Sequence, residues 1–139
     1  MSKNFGIWID HEKAVMVILK EDKEEIKLIQ SGVEKRVRFR GGTRMKTTYG
    51  AQHFPAEDHK DRQYIEKLKK FYGMVISMLE GGDSVLIFGP GEAKAELERR
   101  ILHELSGVKV VGIETADKMT DRQIAAKVSR FFEGKSIKR

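Results

Sequence analysis

Lys35, Arg36, Arg38, Arg40, Arg44 and Lys46 stand in a window bounded by Glu34 and Glu57 that contains no acidic residue. Side chains of this kind bind phosphate, through ammonium point charges and bidentate guanidinium groups. The same stretch carries Gly41, Gly42, Thr43, Thr47, Thr48, Tyr49, Gln52, His53 and Phe54. Glycine lets a backbone approach a ligand closely, hydroxyls and amides add hydrogen bonds, and an aromatic ring such as Tyr49 can stack on a base. The whole chain has 27 Lys+Arg against 21 Asp+Glu, so removing these six cations leaves 21 of each sign. One segment therefore carries the whole net charge of +6. Uncompensated like charge repels itself, and a polyanion relieves that repulsion. Nucleic acid is the first candidate ligand. A solvated basic loop, an acidic protein partner and a charged edge strand that guards against aggregation are the competing readings. The segment has no long apolar face of the sort a membrane surface needs.

A second set of residues offers hydrolytic chemistry. Asp10 ends the first apolar run, Glu66 lies in a helical stretch and Asp121 opens the last one. Converging carboxylates of this kind hold the paired metal ions of a nuclease. A two-metal site needs several such acids, and Phe88-Gly89-Pro90-Gly91, which follows another apolar run, supplies none. Asp10 also reads as a turn residue accepting backbone N–H groups from His11–Lys13. The four His residues are scattered, without an HExxH pair, and no serine sits in GxSxG. Gly89-Pro-Gly-Glu-Ala-Lys94 lacks both GxGxxG and GxxxxGK[ST], and reads as a tight turn into a helix rather than a phosphate loop. No cofactor is expected, and whether the chain is an enzyme stays open at this point.

The chain has 139 residues and no cysteine, which excludes a disulfide scaffold, a thiolate zinc site and a Cys nucleophile. Its length suits one domain, taken as residues 1–134, with a long basic loop at 35–59 and a basic tail at 135–139. The longest apolar run, Ala14–Leu19, is far short of a bilayer span. The start shows no export signal, so the expectation is a cytoplasmic protein with no membrane partner. The oligomeric state is not legible.

The elements that must position these residues follow from hydrophobic period. Phe5–Asp10, Ala14–Lys20 and Glu24–Gln30 read as strands separated by turns too short for anything but an antiparallel meander. Ile26 and Leu28 fall on one side of the third. Val33–Arg40 is a candidate further edge strand. A helix is expected from about Asp61 to Leu79, with Gly73 inside it marking a close packing contact. Ser84–Phe88 is a strand, Glu92–Leu105 a helix and Val108–Ile113 a strand. Thr120-Asp-Arg-Gln123 is a capping box opening a last helix to about Phe132. Strands reached through helices lie parallel to the first by right-handed crossover. The expected fold is α/β and ribonuclease-H-like: a mixed sheet of order 3-2-1-4-5, with an antiparallel meander 3-2-1, parallel strands 4-5 and helices on both faces.

A basic Gly-Gly loop after such a meander, together with Val85-Leu-Ile-Phe-Gly-Pro-Gly-Glu-Ala-Lys94 and Ala116-Asp-Lys-Met-Thr-Asp-Arg-Gln123, resembles the middle domain of the archaeal and eukaryotic class-1 peptide-chain release factors. Pelota-type rescue factors share that domain. Small bacterial proteins described as translational machinery or host-attachment proteins look similar too. The resemblance spans roughly residues 5–133. It implies a partner in the ribosome, rRNA or tRNA. It also implies that Lys35, Arg36, Arg38, Arg40, Gly41, Gly42, Thr43, Arg44, Lys46 and Tyr49 form the RNA-binding surface. Where the release factors carry Gly-Gly-Gln to help water attack peptidyl-tRNA, this chain has Gly41-Gly42-Thr43. The missing Gln counts against hydrolysis. Asp10, Glu66 and Asp121 remain the alternative, as a metal-dependent nuclease.

Overall fold

The computed structural model describes residues 3–21, 23–33 and 50–137, with backbone alone at 50–60 and 134–137. Five strands form one sheet: β1 (Lys3–Ile9), β2 (Lys13–Lys20), β3 (Lys23–Gln30), β4 (Ser84–Gly89) and β5 (Lys109–Thr115). Their order is β3-β2-β1-β4-β5, with β1–β2 and β2–β3 antiparallel and β1–β4 and β4–β5 parallel. This is the ribonuclease-H-like arrangement expected from element order. Among the described residues three helices accompany it: α1 (Gly50–Leu79), α2 (Ala93–Glu104) and α3 (Asp121–Ile137).

Side chains alternate across a strand, and the central strands are apolar at nearly every position because both faces are covered. Phe5, Ile7 and Ile9 of β1, Met16 of β2 and Val85 and Ile87 of β4 face Phe71, Val75 and Leu79 of α1 and Leu97 and Ile101 of α2. The residues between them, Trp8, Val15, Val17, Leu86 and Phe88, pack on Ile124, Val128 and Phe132 of α3. The buried Trp8 indole N–H donates to the Asp117 carbonyl at 3.0 Å. That bond ties the connection between β5 and α3 to the sheet and spares Trp8 an unpaired donor.

Thr120 and Gln123 form the capping box. The Thr120 N–H donates to Gln123 Oε1 at 2.9 Å, and the Gln123 N–H donates to Thr120 Oγ1 at 3.1 Å. Each of these bonds satisfies a backbone donor left open at the helix start.

Three expectations need correcting. First, α1 begins at Gly50, not near Asp61, so residues 50–59 belong to a helix and not to the basic loop. Pro55 hides this in the sequence, because proline inside a helix lacks an N–H and crowds the preceding turn. Second, α3 continues to Ile137, so residues 135–137 of the expected tail are helical. Third, Gly73 has no close packing. A Cβ there would meet only an Arg100 guanidinium nitrogen, at 3.9 Å. Ile26 and Leu28 share one side of β3, as expected, and both are exposed (43% and 57%). Helix α3 lies over β1 and β2, and the buried β3 residue is Ile29, on the opposite face. The candidate strand at Val33–Arg40 lies outside the described residues from position 34 onward.

Candidate nucleic-acid interface

Lys35, Arg36, Arg38, Arg40, Gly41, Gly42, Thr43, Arg44, Lys46 and Tyr49 lie outside the described residues. What the structure does define is the place where the chain leaves for that segment and the helix by which it returns.

Asp10 follows β1 and makes the turn into β2. Its Oδ1 accepts the N–H groups of Glu12 at 2.8 Å and Lys13 at 2.9 Å, and its own N–H donates to the Lys13 carbonyl at 3.0 Å. The tip of this turn, His11, then becomes a hub. Its carbonyl accepts Ser31 Oγ–H at 2.7 Å, while the Ser31 N–H donates to the Glu12 carbonyl at 2.8 Å. The Val33 N–H donates to Ser31 Oγ at 3.2 Å, and Val33 packs on the core. From α1, the Lys67 ammonium donates to the Gly32 carbonyl at 3.3 Å, and the Tyr64 ring meets the His11 ring edge-on with centroids 6.4 Å apart. The departure at Ser31–Val33 and the returning helix are thus held to the same turn, at the carboxyl end of β1. In open α/β sheets that end is where ligands bind.

The imidazole side of the hub reaches α2. His11 Nε2 lies 3.2 Å from Glu96 Oε1 of α2, and the Tyr72 hydroxyl of α1 donates to the same oxygen. Burial, and then the Glu96 carboxylate beside it, push the Tyr72 phenol far above its ordinary value. A group whose folded value is raised contributes stability that is complete below its unfolded value, about 10 for tyrosine. That contribution is lost as pH climbs above it. Tyr72 should therefore stay protonated through an alkaline absorbance titration of the folded protein, ionising only with unfolding. Tyr72→Phe, which leaves Glu96 one donor short, should cost about 1–2 kcal/mol in a urea melt at pH 7. It should also soften the alkaline limb of the stability profile.

The nuclease acids are not brought together. Asp10 is committed to its turn, Glu66 is exposed on α1, and Asp121 is exposed at the start of α3 on the other face of the sheet. Among the described residues no three His, Cys, Asp or Glu side chains are grouped to hold a metal ion. The turn after β4 is likewise self-contained, since the Lys94 ammonium donates to the Gly91 carbonyl. His103 is exposed, and the His53 and His59 side chains lie outside the described residues. Glu96 and Tyr72 carried no signal as a site in the sequence. Tyr72 reads there as a core position, and its separation of 24 positions from Glu96 is closed only by the packing of α1 on α2. Among the described residues no helix is long and apolar enough to cross a membrane.

No protein-family model matches the chain, and no curated protein matches it in sequence. Solved structures do. The Pelota protein of Thermoplasma acidophilum superimposes with a TM-score of 0.55 at 16% identity, over 91% of this chain and 31% of that one. The Archaeoglobus fulgidus Pelota gives 0.46 at 14%, over 99% of this chain and 37% of that one. The archaeal translation termination factor aRF1 gives 0.45 at 13%, over 97% and 40%. The chain spans about a third of the length of these neighbours. Nearly all of this chain is therefore similar in fold to a segment of the Thermoplasma Pelota protein.

Proposed function

We propose that this protein binds RNA on the ribosome, in termination, rescue or quality control of translation. In this reading Lys35, Arg36, Arg38, Arg40, Arg44 and Lys46 contact rRNA or tRNA phosphates, Gly41, Gly42 and Thr43 let the backbone come close, and Tyr49 stacks on a base. The observation that carries the proposal is the charge layout: six cations without an acid, on a chain that is otherwise electroneutral. The way the fold anchors the departure of that segment at Ser31–Val33 gives it a firm base. The likeness in fold to the Thermoplasma Pelota protein supports a place in translation. Peptidyl-tRNA hydrolysis is not part of the proposal, since Thr43 stands where that reaction's Gln belongs. The scattered carboxylates give a nuclease no support.

Co-sedimentation with purified ribosomes across a salt series tests the reading. Engagement of four to six phosphates should give a log–log slope on the order of −3 to −5. Binding that ignores salt would overturn it. Failure of added RNA to compete would point instead to an acidic protein partner.

A further inference from the structure

Among the described residues β3 is an edge strand, and its outward features fit a second copy of itself. Along β3 only Ile29 is buried; Lys23, Glu24, Glu25, Ile26, Lys27, Leu28 and Gln30 are exposed. Among the described residues, Glu25 and Lys27 belong to no ion pair. A long exposed edge with large apolar side chains on one face templates pairing with another chain.

The backbone geometry restricts how such pairing can occur. The Ser31 N–H donates to the Glu12 carbonyl, which continues the β2–β3 register by one residue beyond Lys13–Gln30. Backbone groups alternate sides along an antiparallel strand. Ile29, Lys27, Glu25 and Lys23 thus direct their N–H and C=O groups toward β2. Gln30, Leu28, Ile26 and Glu24 direct theirs to the open edge. An antiparallel partner must match outward residues with outward residues, so only every second register is allowed.

The sequence of β3 chooses among those registers. Centring the two-fold axis on Lys27 sets lysine against lysine, and centring it on Glu25 sets glutamate against glutamate. Centring it on Leu28 leaves Lys27 opposite Ile29. Centring it on Ile26 sets Ile26 against Ile26, Glu24 against Leu28, and Glu25 against Lys27 twice. Those two Glu25–Lys27 pairs fall at non-hydrogen-bonded positions, where opposed side chains are closest. In the same register Ile26 and Leu28 of both copies come together on the α3 side of the sheet.

We propose that β3 is a homodimerisation strand, pairing antiparallel with β3 of a second copy about an axis through Ile26 to make one continuous ten-stranded sheet. This does not rest on the RNA-binding reading, and it uses none of the residues assigned there.

Sedimentation equilibrium of the full chain from micromolar to hundreds of micromolar tests it. The wild type should show a reversible monomer–dimer equilibrium. Lys27→Glu, which sets glutamate against glutamate at two places, should weaken the dimer on the order of tenfold or more. The double variant Glu25→Lys with Lys27→Glu restores opposite charges and should recover it. Ile26→Pro should abolish the dimer through loss of an outward N–H, and its far-UV circular dichroism and melting profile establish that the monomer stays folded. A monomer at every concentration overturns the proposal. So does a dimer that Lys27→Glu leaves intact, since the contact then lies elsewhere, and so does failure of the charge swap to rescue a folded Lys27→Glu.

Discussion

Replacing Arg40, Arg44 and Lys46 together with alanine should lower ribosome affinity by on the order of a hundredfold at physiological salt, with the folded body intact. Each phosphate contact contributes roughly 0.9 to the magnitude of the salt slope on a duplex and about 0.7 on a single strand. Three lost contacts should therefore flatten the slope by about 2 to 3. The two readouts must move together: weaker binding with an unchanged slope would place the loss in something other than counterion release. Unaltered melting is expected, because the rest of the chain is balanced at 21 cations and 21 acids without this segment. Wild-type affinity in this variant would remove the basic segment from the interface.

Gly89→Ala should be strongly destabilising, more so than replacement at the other positive-φ glycines among the described residues. Gly89 ends β4 with φ +145°, a conformation open to glycine and strained for other residues. The greater obstacle is backbone. A Cβ at this position would lie 2.3 Å from the Ile9 carbonyl oxygen and 3.1 Å from the Ile9 nitrogen. No rotamer change relieves a collision with a neighbouring strand, so either β1 and β4 separate or the turn into α2 is rebuilt. A loss of about 3–5 kcal/mol is expected, seen as a large fall in the urea midpoint. Gly91→Ala is the control. It also has positive φ, +68°, but nothing lies within 4 Å of its added Cβ. It should cost only about 1–2 kcal/mol, the penalty of the left-handed conformation alone. Equal losses in the two variants would mean that dihedral strain, not the approach of β1, is what demands glycine after β4.

Tyr72 marks a further place where the fold departs from what local sequence suggests. Tyr72 fits the apolar stripe of α1 and is in fact buried there. Its hydroxyl nevertheless reaches a carboxylate on another helix, and that carboxylate also meets His11. Periodicity identifies which face of a helix is covered. It does not say which polar atom from a distant element will arrive at the covered face.

Hydrophobic period, turn length and the hand of crossovers were enough for the strand order and the parallel or antiparallel sense of each pairing, and the Thr-x-x-Gln spacing was enough for the capping box at Thr120. Each of these follows from a local constraint: a short turn allows only an antiparallel neighbour, and a helix between strands allows a parallel one. The cationic segment was equally legible, because charge is a property of composition. The start of α1 was not, since Pro55 disfavours helix locally and its cost has to be outweighed over a helix of 30 residues. Tertiary structure also decided that Asp10, Glu66 and Asp121 do not converge, since Asp10 is spent on its own turn and Asp121 lies across the sheet from α1, and that His11, Tyr72 and Glu96 do. Proximity between residues distant in the chain depends on how helices settle on a sheet, and packing volume governs that settling without regard to the chemistry that ends up side by side.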